Sequence, residues 1–114
     1  MRSQIEQILS SAARTTTGQS PSTYLPKQFQ SMTVYIDVTA VTGTSPSMTV
    51  DYQVSPDGGT TWFTVSSTSA ITAAGKARIA LSDNIGVEAR LNYTITGTSP
   101  SFTFAAWLEG KATP

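Results

Sequence analysis

The chain contains neither cysteine nor histidine. Without cysteine there is no disulfide framework, no thiolate nucleophile and no Cys-ligated metal site. Without histidine the commonest metal ligand and the usual general base of neutral pH are both missing. A cysteine-free chain works in either redox compartment, so that question stays open. Charge is scarce as well: seven basic and seven acidic residues among 114, with none of them clustered. That leaves no basic footprint for nucleic acid. No apolar run approaches the ~20 residues that a membrane-spanning helix needs. Met1-Arg2-Ser3 is followed by Glu6 rather than by an apolar stretch, so no signal peptide and no standard secretory export are expected. The expected partners therefore include neither nucleic acid nor membrane.

Hydroxyl groups take the place of charge. Thr and Ser together supply 34 of the 114 residues. Thr suits a pleated, half-exposed surface. A neutral hydroxyl surface can meet another protein without the desolvation cost of buried charge. At this length one domain is expected, with about two-thirds of the unfolded surface buried on folding.

The strongest pattern is a repeat. Thr42-Gly43-Thr44-Ser45-Pro46-Ser47-Met48-Thr49-Val50 returns as Thr96-Gly97-Thr98-Ser99-Pro100-Ser101-Phe102-Thr103-Phe104, seven of nine positions identical at an offset of 54. Each copy lies between two runs of alternating polarity. Gly permits positive φ, Pro fixes φ, and Ser and Thr bond locally to the backbone. The repeated unit is therefore expected to be strand, turn, strand, giving two related hairpins.

Alternation marks the strands. Met32, Val34, Ile36 and Val38 form one apolar face, and Met48, Val50, Tyr52 and Val54 a second. Thr61–Ser66 and Lys76–Leu81 read as strands, and Asp83–Gly86 as a turn. Val87, Ala89, Leu91, Tyr93 and Ile95 alternate most cleanly, followed by Phe102, Phe104, Ala106 and Leu108. The expected fold is all-β: a single antiparallel β-sandwich or jelly-roll-like domain over residues 26–114. Residues 1–25 read as an extended N-terminal arm. Within it Ile5, Ile8, Leu9, Ala12 and Ala13 share a helical face, and Ser3 with Glu6 fits a capping box. A short helix from Gln4 to about Ala12 is expected on that basis, while Ala13–Thr17 favours extended chain.

Few residues suggest chemistry. Ser55, Asp57, Gly59 and Trp62 match S-x-D-x-G-x-T-W and look like an Asp-box, a structural turn. There the carboxylate accepts turn amides and Trp packs beneath the hairpin. Calcium at Asp57 with Asp51 would find two carboxylates where about 6–8 oxygens are needed. Asp37 and Asp51 could be paired for glycoside hydrolysis only in a cleft, and both sit on polar strand faces. Ser has no His to activate it, and nothing positions any of the three lysines as a substitute. The chain is expected to be no enzyme, with no catalytic residue, no cofactor and no metal. Tyr35 and Trp107 lie on the otherwise polar phase of their strands. Such aromatics could stack sugars or bases; the favoured expectation is that they cover the second face of a sandwich or sit at a subunit interface, where Tyr and Trp are enriched.

Several segments, taken in order, resemble small virion structural proteins of tailed bacteriophages. They are Ser10–Thr17, Tyr35–Val41 running into Thr42–Pro46, Ser55–Gly59, and Ile71–Gly75. The resemblance implies a β-sandwich on a virion surface, either a head decoration (cement) protein that binds and stabilises the shell or a minor tail component. It also implies a strand around Ser11–Thr17, against the helical reading. The implied partners are the major capsid protein and other virion subunits, with a homo-oligomer (a trimer among the options) made in the host cytoplasm. The arm, through Ile5, Ile8 and Leu9, and the two repeats, through Thr44, Ser45, Pro46, Thr98, Ser99 and Pro100, are the expected contacts. A receptor- or carbohydrate-binding module on a tail or fibre is the alternative.

Overall fold

A computed structural model describes residues 2–21, 23–24, 31–81 and 88–112. The described residues are all strand and turn, in antiparallel order. The strands are β1 (Arg2–Arg14), β2 (Gly18–Gln19), β3 (Thr23–Tyr24), β4 (Ser31–Ser55), β5 (Phe63–Ser67), β6 (Gly75–Leu81) and β7 (Glu88–Ala112). The expected turn at Asp83–Gly86 lies outside the described residues.

β4 and β7 are each 25 residues long. A straight strand of that length would span about 80 Å, yet the longest dimension of the molecule is 47 Å. Both strands therefore bend sharply, and they bend at the repeats. The two repeats are not hairpin turns, as their composition predicts. They lie opposite one another in the middle of the β4–β7 ladder, with Thr42 paired to Ser101, Thr44 to Thr98 and Ser47 to Thr96, and with register shifts between these pairs. Moving every residue by the repeat offset of 54 exchanges the first pair with the third and leaves the second in place. The corner is thus a local two-fold, with Thr44 and Thr98 on its axis. Gly43 and Gly97 adopt φ of 117° and 124°, and Ser45 and Ser99 adopt φ of 50° and 48°. Turn chemistry is spent here on a paired β-bulge that folds the sheet over.

Folding at that corner makes one continuous sheet into two layers. In the first layer β6 pairs with the N-terminal half of β4, that half with the C-terminal half of β7, and β7 with β1. In the second layer β5 pairs with the C-terminal half of β4, that half with the N-terminal half of β7, and β7 with β2 and β3. Tyr93 and Phe104 are eleven residues apart on the same strand, about 36 Å if straight, but their rings meet edge-on at 5.3 Å. The core lies between the layers: Met32, Val34, Ile36, Val38, Met48, Val50, Tyr52, Leu91, Phe102, Phe104, Ala106 and Leu108 are all buried there. Each such apolar side chain contributes about 1.5–3 kcal/mol when fully buried. Burial pushes the Tyr52 phenol far above its usual pKa, so it stays neutral in the core.

The N-terminal segment differs from the helical expectation. Residues 2–14 are strand, paired along β7 from Arg2–Ala112 to Arg14–Phe102, with irregularities between Gln7 and Leu9 and between Leu9 and Ala12. The irregularities explain the misleading period. In a regular strand Ile5 and Leu9 would share a face; the extra residue shifts the phase, so Ile5 points out at 62% exposure and Leu9 points in at 7%. Arg14 pins the end of β1. Its Nη1 donates to the carbonyls of Phe104 (2.7 Å) and Ala12 (3.1 Å), and its Nη2 to that of Ser10 (2.8 Å). The guanidinium also covers the Phe104 ring, 4.5 Å from its centroid. Just beyond, Thr17 Oγ1 accepts from the Ile95 amide (3.0 Å) and Ser20 Oγ from the Leu91 amide (2.8 Å), carrying the chain onto the second layer.

Candidate interaction surface

Three features of the surface come from residues with chemical potential: the turn after β4, the two-fold corner, and the outer faces of the two layers.

The turn is built around Asp57. Its Oδ1 accepts from Ser55 Oγ (2.9 Å), Thr60 N (3.2 Å) and Thr61 N (2.8 Å), while Ser55 Oγ accepts from Gly59 N (2.7 Å). Trp62 Nε1 donates to the Gly59 carbonyl at 3.2 Å. The Thr61 amide above all, with the Ser55 hydroxyl and the Thr60 amide, holds the Asp57 carboxyl down at about 2. Every one of these groups is occupied in fixing the backbone. The Arg90 guanidinium stacks on Trp62, 4.3 Å from the ring centroid, and its Nε donates to Gln53 Oε1 at 2.9 Å. Glu88 lies beneath Gly59, 5% exposed, and its Oε1 has no hydrogen-bond partner among the described residues. Sequence pattern gave no hint of this buried carboxylate, because Glu88 opens a run whose other polar residues face outward.

At the corner Thr44, Ser45, Thr98 and Ser99 are exposed, with Pro46 and Pro100 half-buried beside them. The structure brings these six sequence-predicted residues into one patch although they are far apart in the chain. It does not bring Ile5 to them. Ile5 pairs with Glu109, eleven residues beyond Thr98 along β7, about 36 Å away along a straight strand. Ile8 is half-buried against the core and Leu9 is inside it, so Leu9 is a packing residue and not a surface contact.

The outer faces contrast. On the second layer Gln19 Nε2 donates to Asn92 Oδ1 (3.0 Å) and Asn92 Nδ2 to Asp51 Oδ2 (3.3 Å). On the next rung Arg90 bonds Gln53, and Gln53 Nε2 donates to Thr64 Oγ1 (3.1 Å). On the first layer one rung runs Gln7, Trp107, Tyr35, Arg78 and another Ile5, Glu109, Thr33, Ala80. Tyr35 is 36% exposed and Trp107 half-buried. Tyr35 Oη donates to Glu109 Oε1 at 2.7 Å, and that bond raises the phenol pKa above its usual range. Asp37 pairs with Lys76 at 3.1 Å. Asp37 and Asp51 therefore sit on opposite outer faces, each with its own partner, and cannot act as a pair. Among the described residues no three Asp or Glu side chains gather as a metal site.

No known protein family's sequence profile matches the chain, and no curated protein does. Nine chains of solved structures match. The PBSX exported protein XepA superposes with a TM-score of 0.66 at 15% identity, over 96% of this chain and 37% of that one. A chain from infectious bursal disease virus Gx strain gives 0.60 at 10% identity, over 96% and 31%. A Bacillus endospore appendage protein, from a family of disulfide-linked pili, gives 0.50 at 14% identity, over 99% and 93%. This chain thus spans about a third of the first and second of these. At such identities the likeness is one of fold: a two-layered antiparallel β-domain of this kind.

Proposed function

We propose that the chain is a non-enzymatic structural subunit of a bacteriophage virion, and specifically a capsid decoration (cement) protein that binds the major capsid protein and stabilises the head shell. The observation that carries this reading is the use made of the polar side chains. Asp57 and Ser55 hold a turn, Asp37 and Asp51 lie on opposite faces, and the exposed corner is made of Thr, Ser and Pro. What remains for function is surface. The virus-chain, pilus-protein and XepA folds, and the resemblance of the ordered segments to small tailed-phage virion proteins, point the same way. The two-fold corner supplies a neutral tip that can lie against capsid subunits with little desolvation cost. Ile5, at the far end of β1, would meet a different neighbour.

Electron cryomicroscopy of intact particles from the source tests this. Density for the chain in many symmetry-related copies on the head, corner against the shell, is the expected result. Density confined to the tail would overturn the cement assignment in favour of a tail or fibre role.

A further inference from the structure

The local two-fold at the corner allows a comparison within one molecule. Shifting by 54 residues, with one residue absorbed by the irregularity between Val38 and Ala40, carries Gln53 onto Trp107 and Arg90 onto Tyr35. The same rung, at equivalent places on the two outer faces, is therefore a hydrogen-bonded Arg–Gln pair on one and a Tyr–Trp pair on the other. The first already carries an aromatic cover of its own, the Trp62 ring stacked on Arg90. The second exposes aromatic surface to water, beside the 62% exposed Ile5.

We propose that a second copy of this chain docks on the outer face of the first layer, about a two-fold axis parallel to the strands and midway between β4 and β7. Trp, Tyr and Arg, the residue types that dominate interface energetics, stand together there as Trp107, Tyr35 and Arg78. The face is also complementary to itself. The axis interchanges the positions of β4 and β7, and of β6 and β1. Tyr35 then lies over Trp107 of the second copy, and Arg78 over Gln7, a guanidinium donor facing an amide carbonyl. Thr33 lies over Glu109, a hydroxyl facing a carboxylate. Ala80, the smallest side chain on its rung, lies over Ile5, the largest apolar one. No rung sets like charges opposite each other. Four strands about 4.8 Å apart and some 15–20 Å of their length give a few hundred Å² per copy. That is below the ~800 Å² per partner of a standard interface, so the dimer is weak in dilute solution and gains from being held in an array.

The absence of native cysteine makes a clean trap. Ile5 and Ala80 are three strand spacings apart within one chain, about 14 Å, too far for an internal disulfide. The double variant Ile5→Cys/Ala80→Cys should therefore oxidise to a covalent dimer. Gln19→Cys/Ser67→Cys has the same spacing across the outer face of the second layer and reports random collision. The expected result is a dimer yield at least ten-fold higher for the first pair, abolished by adding Trp107→Lys and unaffected by adding Gln53→Lys. In the native chain, the Trp107 indole N–H resonance should move with concentration up to about 1 mM, in the weak-binding range, while the Trp62 indole stays fixed. Equal trapping of both pairs, or a Trp107 resonance that does not move on concentration, would overturn the proposal and leave the face for a different occupant, such as a glycan. Dimerisation of the free chain needs no virion, so its failure would be distinct from failure of the cement assignment.

Discussion

Replacing Gly43 by Ala should be among the most damaging single-methyl changes this protein can suffer. A Cβ built there meets three backbone atoms of the facing strand: Ser99 O at 2.8 Å, Pro100 Cα at 2.9 Å and Thr98 O at 3.0 Å. None can rotate away, since each belongs to the paired repeat. Two costs add. Holding an L-residue at a φ of 117° costs about 1–2 kcal/mol. Forcing the two backbones apart at the sharpest point of the sheet costs about 1–3 kcal/mol more, as for other overpacked sites. The total is about 2–5 kcal/mol, a large part of the stability of any small domain. It corresponds to a melting temperature lower by about 8–20 °C for a chain of this size. The two-fold makes the number self-checking. Gly97 faces Ser45 O, Pro46 Cα and Thr44 O at 2.9, 3.0 and 3.1 Å, so Gly97→Ala should cost the same within about 1 kcal/mol. Gly58 also has positive φ, 84°, but no atom within 4 Å of the added methyl, so Gly58→Ala carries the conformational cost alone, about 1–2 kcal/mol. Urea unfolding of the three variants, followed by tryptophan fluorescence, gives the comparison directly. A Gly43→Ala variant no less stable than Gly58→Ala would refute the account of the corner.

Four further outcomes follow from the geometry and the electrostatics. Leu9→Ala removes a β1 side chain buried in the core and should cost about 2–4 kcal/mol by urea unfolding. Removing residues 1–14 should produce aggregation visible by light scattering, because it uncovers the paired edge of β7. Arg14→Lys keeps the charge but loses the fork that reaches the Ser10, Ala12 and Phe104 carbonyls while covering the Phe104 ring; a loss of about 1–2 kcal/mol is expected, with faster hydrogen exchange at the amides of Ala12–Arg14. For Asp57 the sign is set by its lowered pKa of about 2. Its contribution to stability is present above the unfolded-state value near 3.9 and is lost as pH falls from there through about 2. Asp57→Asn should therefore narrow its stability gap to the parent between pH 5 and pH 2, and a constant gap would count against this.

The core was legible in the sequence and the corner was not, for one physical reason. A strand that buries one face writes its own period: Met32, Val34, Ile36 and Val38, or Phe102, Phe104, Ala106 and Leu108, need no knowledge of the rest of the chain. Whether Thr42–Ser47 turns back on itself or runs on depends on what lies opposite. The answer is a copy of itself 54 residues away, a non-local fact that local turn chemistry cannot express. The N-terminal strand failed differently. Two irregularities in its pairing with β7 broke the period of two and left a spacing that imitates a helix. Among surface residues, the Ser55–Trp62 turn could be recognised because its bonds are local. The contrast between the Tyr35–Trp107 and Arg90–Gln53 rungs emerged only once register was known.

The long shared strands also govern how the molecule bears load. Hydrogen-bonded and non-hydrogen-bonded rungs alternate along the β4–β7 ladder, and both strands pass from one layer into the other through the bulged corner. Tension applied along them is carried in shear by many rungs at once, and the layers cannot slide apart without breaking the corner. Arg2 and Ala112, by contrast, face each other on a single terminal rung. A pull applied between those two points opens β1 from β7 one bond at a time, like a zip, until it meets the guanidinium of Arg14. The protein is strong along one direction and releasable along another.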